Sequence, residues 1–401
     1  MNFAIIFIAL GLASFLAFSK KLSKSSDWQA TVSPLASIMG SGFLVCAPLL
    51  SVTVGLWALP CMVGLLVLAY AVGEIIRFNI KYFEPIENKK EGAPQIFALL
   101  SRWVLIGAYF ISVTYYLQLL AAFSLSIFNS NNQILAKFIT TSLLIVIGGV
   151  GIWRGLGMLE RIEKYTVSFN LGMVGALVAS LIFYNFYLMA NGHWALPSVS
   201  SKIDFNGVRV LIGLLIVVQG FEISRYLGSE HSAKQRIKTM RWAQLISSVI
   251  YILFLAFITI LFHKDLKSDV TGIIAMTKPV AAILPFLLTI SAIGSQFSAS
   301  VADAEGASGL IEDISHKKIP PRFSYLVILL VTIGITWETD VNQIIAYASR
   351  GFALYYMLQG LVAFATAGTL SKLPKRRVKR AGFLLVAFIC LTVFLFGLPA
   401  G

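Results

Sequence analysis

The fold is decided by the stretch Ala36-Ser37-Ile38-Met39-Gly40-Ser41-Gly42-Phe43-Leu44-Val45, which lies inside an apolar segment at residues 31–51. That segment is long enough to cross a bilayer as a helix. Within lipid, unpaired backbone groups are tolerated only against protein or a water-filled cavity. Two interpretations of this stretch stay open. Either Gly40-Ser41-Gly42 breaks a membrane helix beside a binding site, or it forms a small-residue face for close helix packing.

The composition places the chain in a membrane. Its 401 residues are 58% hydrophobic and 12% charged, with a mean hydropathy of +0.83, whereas soluble domains carry roughly 25% charged residues. The net charge of +14 does not indicate nucleic acid binding, because the basic residues lie in short loops between apolar segments. Cys46, Cys61 and Cys390 all lie in apolar segments and predict neither a disulfide framework nor a zinc site. The sequence contains no HExxH, Walker or Gly-x-Ser-x-Gly pattern, so we expect neither an enzyme nor a cofactor.

Apolar segments predict about twelve membrane-spanning helices. They lie at residues 3–18, 31–51, 54–76, 94–128, 134–152, 165–190, 207–228, 240–262, 280–311, 324–337, 341–370 and 381–398. A cleaved signal peptide is the alternative for the first segment. Lys20, Lys21 and Lys24 follow that segment rather than precede it, which favours a retained helix with its N-terminus outside.

The distribution of basic residues supports this topology. With the N-terminus outside, about 24 of the 32 Lys and Arg residues fall in loops on the cytoplasmic side. We therefore expect an integral protein of a bacterial cytoplasmic (inner) membrane.

The spans divide into two equal groups. Setting aside residues 1–28 and 371–401 leaves ten spans, which the polar loop 191–206 separates into halves at 29–190 and 207–370. The halves begin from opposite sides of the membrane, which is the inverted five-plus-five arrangement of many secondary transporters. We therefore predict an all-α membrane protein in which a discontinuous helix opens each half. Gly40-Ser41-Gly42 lies in the first opening helix and Gln219-Gly220-Phe221-Glu222 in the second, which favours the binding-site interpretation.

These two motifs resemble those of the amino acid–polyamine–organocation (APC) superfamily of transporters. Gly40-Ser41-Gly42-Phe43 looks like its Gly-x-Gly first helix, and Gln219-Gly220-Phe221-Glu222 resembles its sixth-helix Gly-Phe-Glu pattern. The stretches 229–238 and 246–251 look like its sixth-to-seventh junction. The resemblance covers residues 31–370 and implies the leucine-transporter-like fold. The extra N-terminal span looks more like the sodium–solute symporters, which share that fold.

The resemblance implies a substrate site between the two broken helices. A half-helix beginning near Gly42 would direct its N–H groups at the cavity, which suits a carboxylate. Tyr115 and Tyr116 lie in the middle of span 94–128 and would act as aromatic gates, with ordinary bundle packing as the alternative. The implied substrate-binding residues are Gly40, Ser41, Gly42, Phe43, Tyr115, Gln219, Gly220, Phe221 and Glu222.

Charged residues inside the spans are the second signal, because they are costly in lipid and usually functional. Glu222 either pairs with Arg225 three residues later, or binds a substrate ammonium group or a proton. Asp303 and Glu305 are candidates for ion coupling, and Arg350 is a candidate to neutralise one of them. The resemblance to sodium-coupled relatives, whose ion site lies between the first and eighth core helices, implies that Ser295 and Ser298 would supply hard oxygen ligands for Na+. The coupling ion is left open between Na+ and H+.

These observations predict a secondary transporter for ion-coupled uptake of a small organic solute, above all an amino acid or a related amine. The alternatives are a sodium–solute symporter-like carrier of another solute and an ion-conducting channel. The expected partners are the small-molecule substrate and the lipid bilayer, with no nucleic acid, and the protein is expected to be a monomer or a homodimer.

Overall fold

A computed structural model of the chain describes residues 2–88, 91–128, 130, 132–229, 231–263, 266 and 269–399, without the side chains of Ser23, Ser41, residues 157–164 and Ser229. This part of the chain is helical and contains no strand. Its α-helices are α1 (Asn2–Phe18), α2 (Lys20–Ser23), α3 (Ser26–Val54), α4 (Ala58–Phe78), α5 (Ala93–Ser126), α6 (Gln133–Arg154), α7 (Gly157–Ala190), α8 (Phe205–Ile212), α9 (Ile223–Tyr226), α10 (Ala233–Ile258), α11 (Gly272–Thr277), α12 (Leu284–Ile314), α13 (Pro321–Glu338), α14 (Val341–Thr369) and α15 (Arg376–Phe396).

The number of membrane spans agrees with the sequence prediction. In the described ranges, ten helical segments are long and apolar enough to cross a membrane, and one of them, Ser26–Ile86, contains both α3 and α4. The broken segment formed by α8, α9 and the residues between them accounts for the twelfth span. Large apolar side chains such as Phe3 and Phe7 of α1 are 89% and 80% exposed, as expected for a surface that faces lipid rather than water.

The sixth core span is broken where the sequence predicted. After α8, a 3-10 turn at Leu215–Val218 is followed by extended backbone at Gln219 and then by the short helix α9. Gly220 has φ +117°, a conformation that favours glycine. A Cβ at Gly220 would also lie 2.4 Å from Ser37 Oγ of α3. Glycine is therefore required here both by the backbone conformation and by the close approach of α3.

The first core span is not broken, which corrects the prediction of a discontinuous helix at Gly40-Ser41-Gly42. The α-helix α3 runs through these residues from Ser26 to Val54. The glycines serve close packing instead: a Cβ at Gly42 would lie 2.6 Å from Val217 Cα, and one at Gly40 would lie 3.1 Å from Ser295 Oγ. Both glycines therefore let the break in the sixth span and helix α12 approach the α3 backbone, as small residues do between membrane helices.

Two helices lie outside this core. The N-terminal helix α1 packs against α7, where a Cβ at Gly172 would lie 2.7 Å from the Ala9 carbonyl oxygen. The C-terminal helix α15 packs against α14, where a Cβ at Gly360 would lie 2.9 Å from Ala387 Cβ. The inverted relationship of the halves 29–190 and 207–370, and the location of the N-terminus outside, stay predictions.

The contact between Gly42 and Val217 predicts a stability effect. Gly42→Ala should lower the free energy of unfolding by about 1–3 kcal/mol, because the added methyl group overpacks a contact with backbone. Gly64→Ala in α4 is the matched control, since a Cβ there meets nothing within 4 Å. Thermal unfolding of the purified proteins in detergent measures both. A Gly42→Ala variant as stable as Gly64→Ala would contradict the packing role.

Candidate functional site

A cavity of about 740 Å³ lies between α3, α5, α7, α9 and α12. One end of it lies beside Ser295 near the middle of α12, and the other reaches Asp313 in the last turn of the same helix. The Asp313 side chain is 64% exposed, so the cavity reaches the protein surface at this end, which we call the mouth. A pocket of this volume is large enough for a small organic molecule.

The inner end of the cavity is lined by uncharged polar groups. Asn170 of α7 accepts a hydrogen bond from the Ser291 hydroxyl of α12 through its Oδ1 atom, at 2.9 Å. This bond fixes the side chain of Asn170 where α7 and α12 meet. The polar side chains that line this end are Ser33, Ser37, Thr166, Asn170, Ser295 and Ser298.

Asp303 lies between this polar wall and the mouth, and only 5% of it is exposed. Its Oδ2 atom accepts a short hydrogen bond from the Ser112 hydroxyl of α5, and Ser112 itself is fully buried. Tyr109, one turn before Ser112, lines the same part of the cavity. Glu305 also lines the cavity, two residues after Asp303. The cavity thus contains a carboxyl group that is largely shielded from solvent.

The mouth is held by charged side chains from distant parts of the chain. Arg102 of α5 donates to Glu87, which follows α4, and to Asp313 at 2.9 Å. Arg225 of α9 forms a longer ion pair with Glu87, at 3.4 Å. Arg225 also donates a short hydrogen bond to Gln359 Oε1 of α14. Through Glu87 and Arg102 the half-helix α9 is connected to α5 and the end of α12, and through Gln359 it is connected to the interior of α14.

Gln359 is the centre of a buried polar network behind this mouth. Its Oε1 atom accepts from Asn79 Nδ2 at 2.9 Å as well as from Arg225. Its Nε2 group donates to the Ser101 hydroxyl at 2.8 Å. Gln359 and Ser101 are fully buried, so the network fixes α9 against α5 and α14 by hydrogen bonds that are shielded from water.

Gly40, Gly42 and Phe43, three of the four substrate residues predicted in the first span, do not line this cavity. Phe43 is 1% exposed, and its ring packs 4.4 Å from that of Phe254 and 5.3 Å from that of Tyr251. The Gly40 carbonyl accepts a hydrogen bond from Gln296 Nε2 of α12 at 3.0 Å. Gly42 contacts Val217, and the side chain of Ser41 lies outside the described part of the chain. Gly40 and Gly42 are therefore packed against α12 and the break, and Phe43 is packed against α10.

The residues predicted in the sixth span are also internally bonded. Gln219 Nε2 donates to the Tyr116 hydroxyl at 3.2 Å. The Phe221 ring is stacked on Tyr356 at 5.5 Å. Glu222 Oε2 accepts from the Gly220 N–H group at 3.0 Å and from the Tyr356 hydroxyl at 2.8 Å. Glu222 therefore satisfies the broken backbone and does not form the ion pair with Arg225 that the sequence left open.

Tyr115 and Arg350 also lie away from the cavity. Tyr115 is fully buried, and its ring lies 5.2 Å from that of Tyr116. This arrangement corresponds to bundle packing, the alternative to an aromatic gate. Arg350 donates from Nε to the Phe394 carbonyl of α15 at 2.6 Å, with its guanidinium group over the Phe394 ring. The structure therefore brings Ser295, Ser298, Asp303 and Glu305 to one cavity and places Arg350 elsewhere.

The sequence analysis missed the charged mouth. Arg102 lies inside a predicted span and carried the same signal that singled out Asp303, namely a charge within an apolar segment. Its partners Glu87 and Asp313 are 15 and 211 residues away along the chain, so no local spacing indicates the network. Ser112 likewise lacks a signal, because a single serine in a long apolar helix is ordinary.

The fold is that of known membrane transporters. The structure of MhsT in complex with L-phenylalanine matches it with a TM-score of 0.60, at 15% sequence identity, over 92% of this chain and 98% of that chain. A mutant form of a manganese transporter from Eremococcus coleocola matches with a TM-score of 0.55, at 13% identity, over 95% of this chain and 90% of that chain. At these identities the matches show the fold alone, and they confirm the predicted leucine-transporter-like architecture.

The family follows from the sequence comparisons. A family model described as APC superfamily transporter matches residues 20–397. An uncharacterized protein of Aquifex aeolicus (strain VF5) is 38% identical over 400 residues, which cover 98% of this chain and 96% of that protein. The chain therefore belongs to the APC superfamily of transporters, as the resemblance of its two motifs predicted.

The mouth network predicts a large effect on stability. Arg225→Gln should lower the free energy of unfolding by about 3–5 kcal/mol, because it removes the charged donor that Arg225 supplies to Glu87 and to the buried Gln359 carbonyl. The Arg225 side chain is 6% exposed, so water does not replace it. Arg377→Gln at the exposed start of α15 is the control with the same chemical change. Denaturant titration in detergent compares them, and equal stabilities would contradict the anchoring role of Arg225.

Proposed function

We propose that this protein is a secondary active transporter that couples the uptake of a small organic solute, an amino acid or a related amine, to ion movement by alternating access. The observation that carries the proposal is a largely buried acid, Asp303, lining a cavity of about 740 Å³ in a chain of a transporter family. The cavity supplies a solute site, and the acid supplies a group whose charge can change with ion binding.

The surroundings of Asp303 support a proton as the coupling ion. A buried carboxylate must be paired with a cation, protonated or bound to an ion, because its bare charge is costly in a bilayer. The hydrogen-bond partner of Asp303 is the Ser112 hydroxyl, and within the described part of the chain Asp303 forms no ion pair with Lys or Arg; the arginines of the cavity wall are paired with Glu87 and Asp313 instead. Binding a proton is therefore the simplest way to neutralise the acid.

Sodium coupling is the alternative that Ser295 and Ser298 keep open. If this chain resembled the sodium-coupled relatives of the fold, whose ion site lies between the first and eighth core helices, sodium would take oxygen ligands from α3 as well as from α12. The Gly40 carbonyl, which faces α12, accepts a hydrogen bond from the Gln296 amide instead. That bond supports the proton over sodium, since a metal ion and an N–H donor compete for the same lone pairs.

The direction of opening follows from the predicted topology. With the N-terminus outside, the mouth beside Asp313 faces the cytoplasm of a bacterial cell, and the structure corresponds to an inward-open state. All the residues that line the cavity belong to one chain, which supports a monomer as the transporting unit, and a homodimer would carry one cavity in each protomer.

The packing beyond the cavity supports a carrier over a channel. Past Ser37 and Ser295, α3 contacts the broken span directly through Gly42 and Val217. The side opposite the mouth is therefore closed by packed backbone and aromatic rings in this state. A carrier needs this closure on one side at a time, whereas an open channel needs a continuous polar path.

The role of Asp303 predicts a separation of two transport activities. Asp303→Asn in proteoliposomes should lose accumulation of substrate against its gradient but retain counterflow at saturating substrate, because the amide cannot take up a proton and the other groups that line the cavity remain. Accumulation of radiolabelled amino acids and amines is measured with an imposed pH gradient and, separately, with an imposed sodium gradient.

The control is Glu338→Gln, an exposed acid at the end of α13 that lies away from the cavity. It removes the same charge and should accumulate substrate as the unmodified protein does. Normal accumulation by Asp303→Asn would remove this residue from the coupling mechanism. Accumulation driven by sodium alone would show that the proton is not the coupling ion.

A further inference from the structure

We infer that the cavity binds an organic cation without a carboxylate group, an amine rather than an amino acid. This inference rests on the proposed transport function and specifies its substrate class. The sequence analysis allowed either an amino acid or a related amine as the substrate, and this inference selects the amine.

The first argument is the charge of the cavity wall. Five acidic side chains and two arginines line it, in a chain whose net charge is +14. Three of the five acids are paired with arginines: Glu87 and Asp313 with Arg102 of the wall, and Glu84 with Arg236 outside it. With all three arginines counted, the acids still outnumber them by five to three. The cavity is therefore acidic inside a basic protein, and an acidic cleft raises the local concentration of cations.

The second argument is the absence of a carboxylate site on the described part of the first span. A substrate carboxylate would be bound by free N–H groups where a helix begins beside the cavity. Helix α3 begins at Ser26 and continues through Gly40 and Gly42, so no such helix end is formed at these glycines.

The third argument is that the break in the sixth span already binds a carboxylate of this chain. Gly220 N–H, the donor beside the positive φ, is bonded to Glu222 Oε2 at 3.0 Å. The Tyr356 hydroxyl donates to the same oxygen at 2.8 Å. An amino acid carboxylate would have to displace Glu222 and leave a buried acid without these donors, which is costly. A cation can bind without displacing Glu222 from these donors.

The fourth argument concerns the kind of cation. Tyr109 lines the cavity with Asp303, and its ring packs close to the α12 backbone, where a Cβ at Gly306 would lie 3.2 Å from Tyr109 Cε2. A carboxyl group beside an aromatic ring is a common setting for an alkylammonium group. Among the residues that the structure describes, no group of three or more His, Cys, Asp or Glu side chains could hold a metal ion. An ammonium group therefore fits the wall better than a metal ion does.

The experiment uses pairs of compounds that differ only by the carboxylate. The purified full-length chain is titrated calorimetrically with lysine and cadaverine, arginine and agmatine, ornithine and putrescine, histidine and histamine, and phenylalanine and phenethylamine. We expect at least one amine to bind at least about tenfold more tightly than its parent amino acid. Tighter binding of the amino acid in the pair with the highest affinity, or binding of no amine, would overturn the inference.

Variants locate the binding in the cavity. Glu305→Gln and Asp303→Asn should each weaken amine binding by about tenfold or more. If Asp303→Asn fails to fold, the affinity of Glu305→Gln tests the location of the site. Glu338→Gln, which removes an exposed acid outside the cavity, should leave the affinity unchanged. Equal amine affinities in all folded variants would overturn the assignment to this cavity.

Counterflow of the bound amine in proteoliposomes separates the inference from the proposed function. Binding without counterflow would overturn transport and leave the cation site standing. Counterflow of an amino acid without binding of any amine would overturn the inference and leave transport standing.

Discussion

The structure depends on satisfying backbone hydrogen bonds where the sixth span is broken. Within a bilayer each unpaired N–H or C=O group costs several kcal/mol, so a break survives only if other groups replace the helix bonds. Here Ile216 N–H donates to the Ser349 hydroxyl at 2.8 Å, and the Tyr251 hydroxyl donates to the Val217 carbonyl. In addition, the Gly220 N–H group donates to the Glu222 carboxylate, which belongs to the same segment. The backbone of the break is thus hydrogen-bonded to α14, to α10 and to a side chain of the break itself. The surrounding helices are thereby fixed around one irregular segment.

Close helix approach is the second constraint, and it accounts for glycine at the contacts. The Tyr251 hydroxyl reaches both the Val217 carbonyl and, at 3.2 Å, the Ile38 carbonyl of α3. One side chain can bridge both only because α3 and the break lie nearly backbone to backbone at Gly42. The Gly-Ser-Gly motif of the first span therefore stabilises the break in the sixth span, although the first span is itself continuous. Close packing and hydrogen bonding both stabilise the contact between α3 and the break.

The sequence predicts the spans well, because membrane length and apolar composition act locally along the chain. It also predicts the break at Gly220, since a glycine next to polar side chains inside an apolar segment favours irregular backbone whose free groups those side chains can bind. Continuity of α3 could not be predicted, because a Gly-Ser-Gly run suits both a broken helix and a close contact. Of the site, Asp303 and Glu305 could be predicted from their cost in lipid. The Ser112 partner and the bonds at the mouth depend on tertiary distances that residue spacing does not contain.

The contact between α1 and α7 has a mechanical consequence. Helix α7 contributes Asn170 to the cavity wall and Gly172 to the contact with α1. Near Gly172 the two backbones lie so close that no side chain separates them, and they can slide or tilt past each other only by opening a void. We therefore expect α1 and α7 to move together as one unit. A displacement of the cavity wall at Asn170 would then be carried to the outer, lipid-facing surface of α1, where the thickness and stiffness of the bilayer act directly on it.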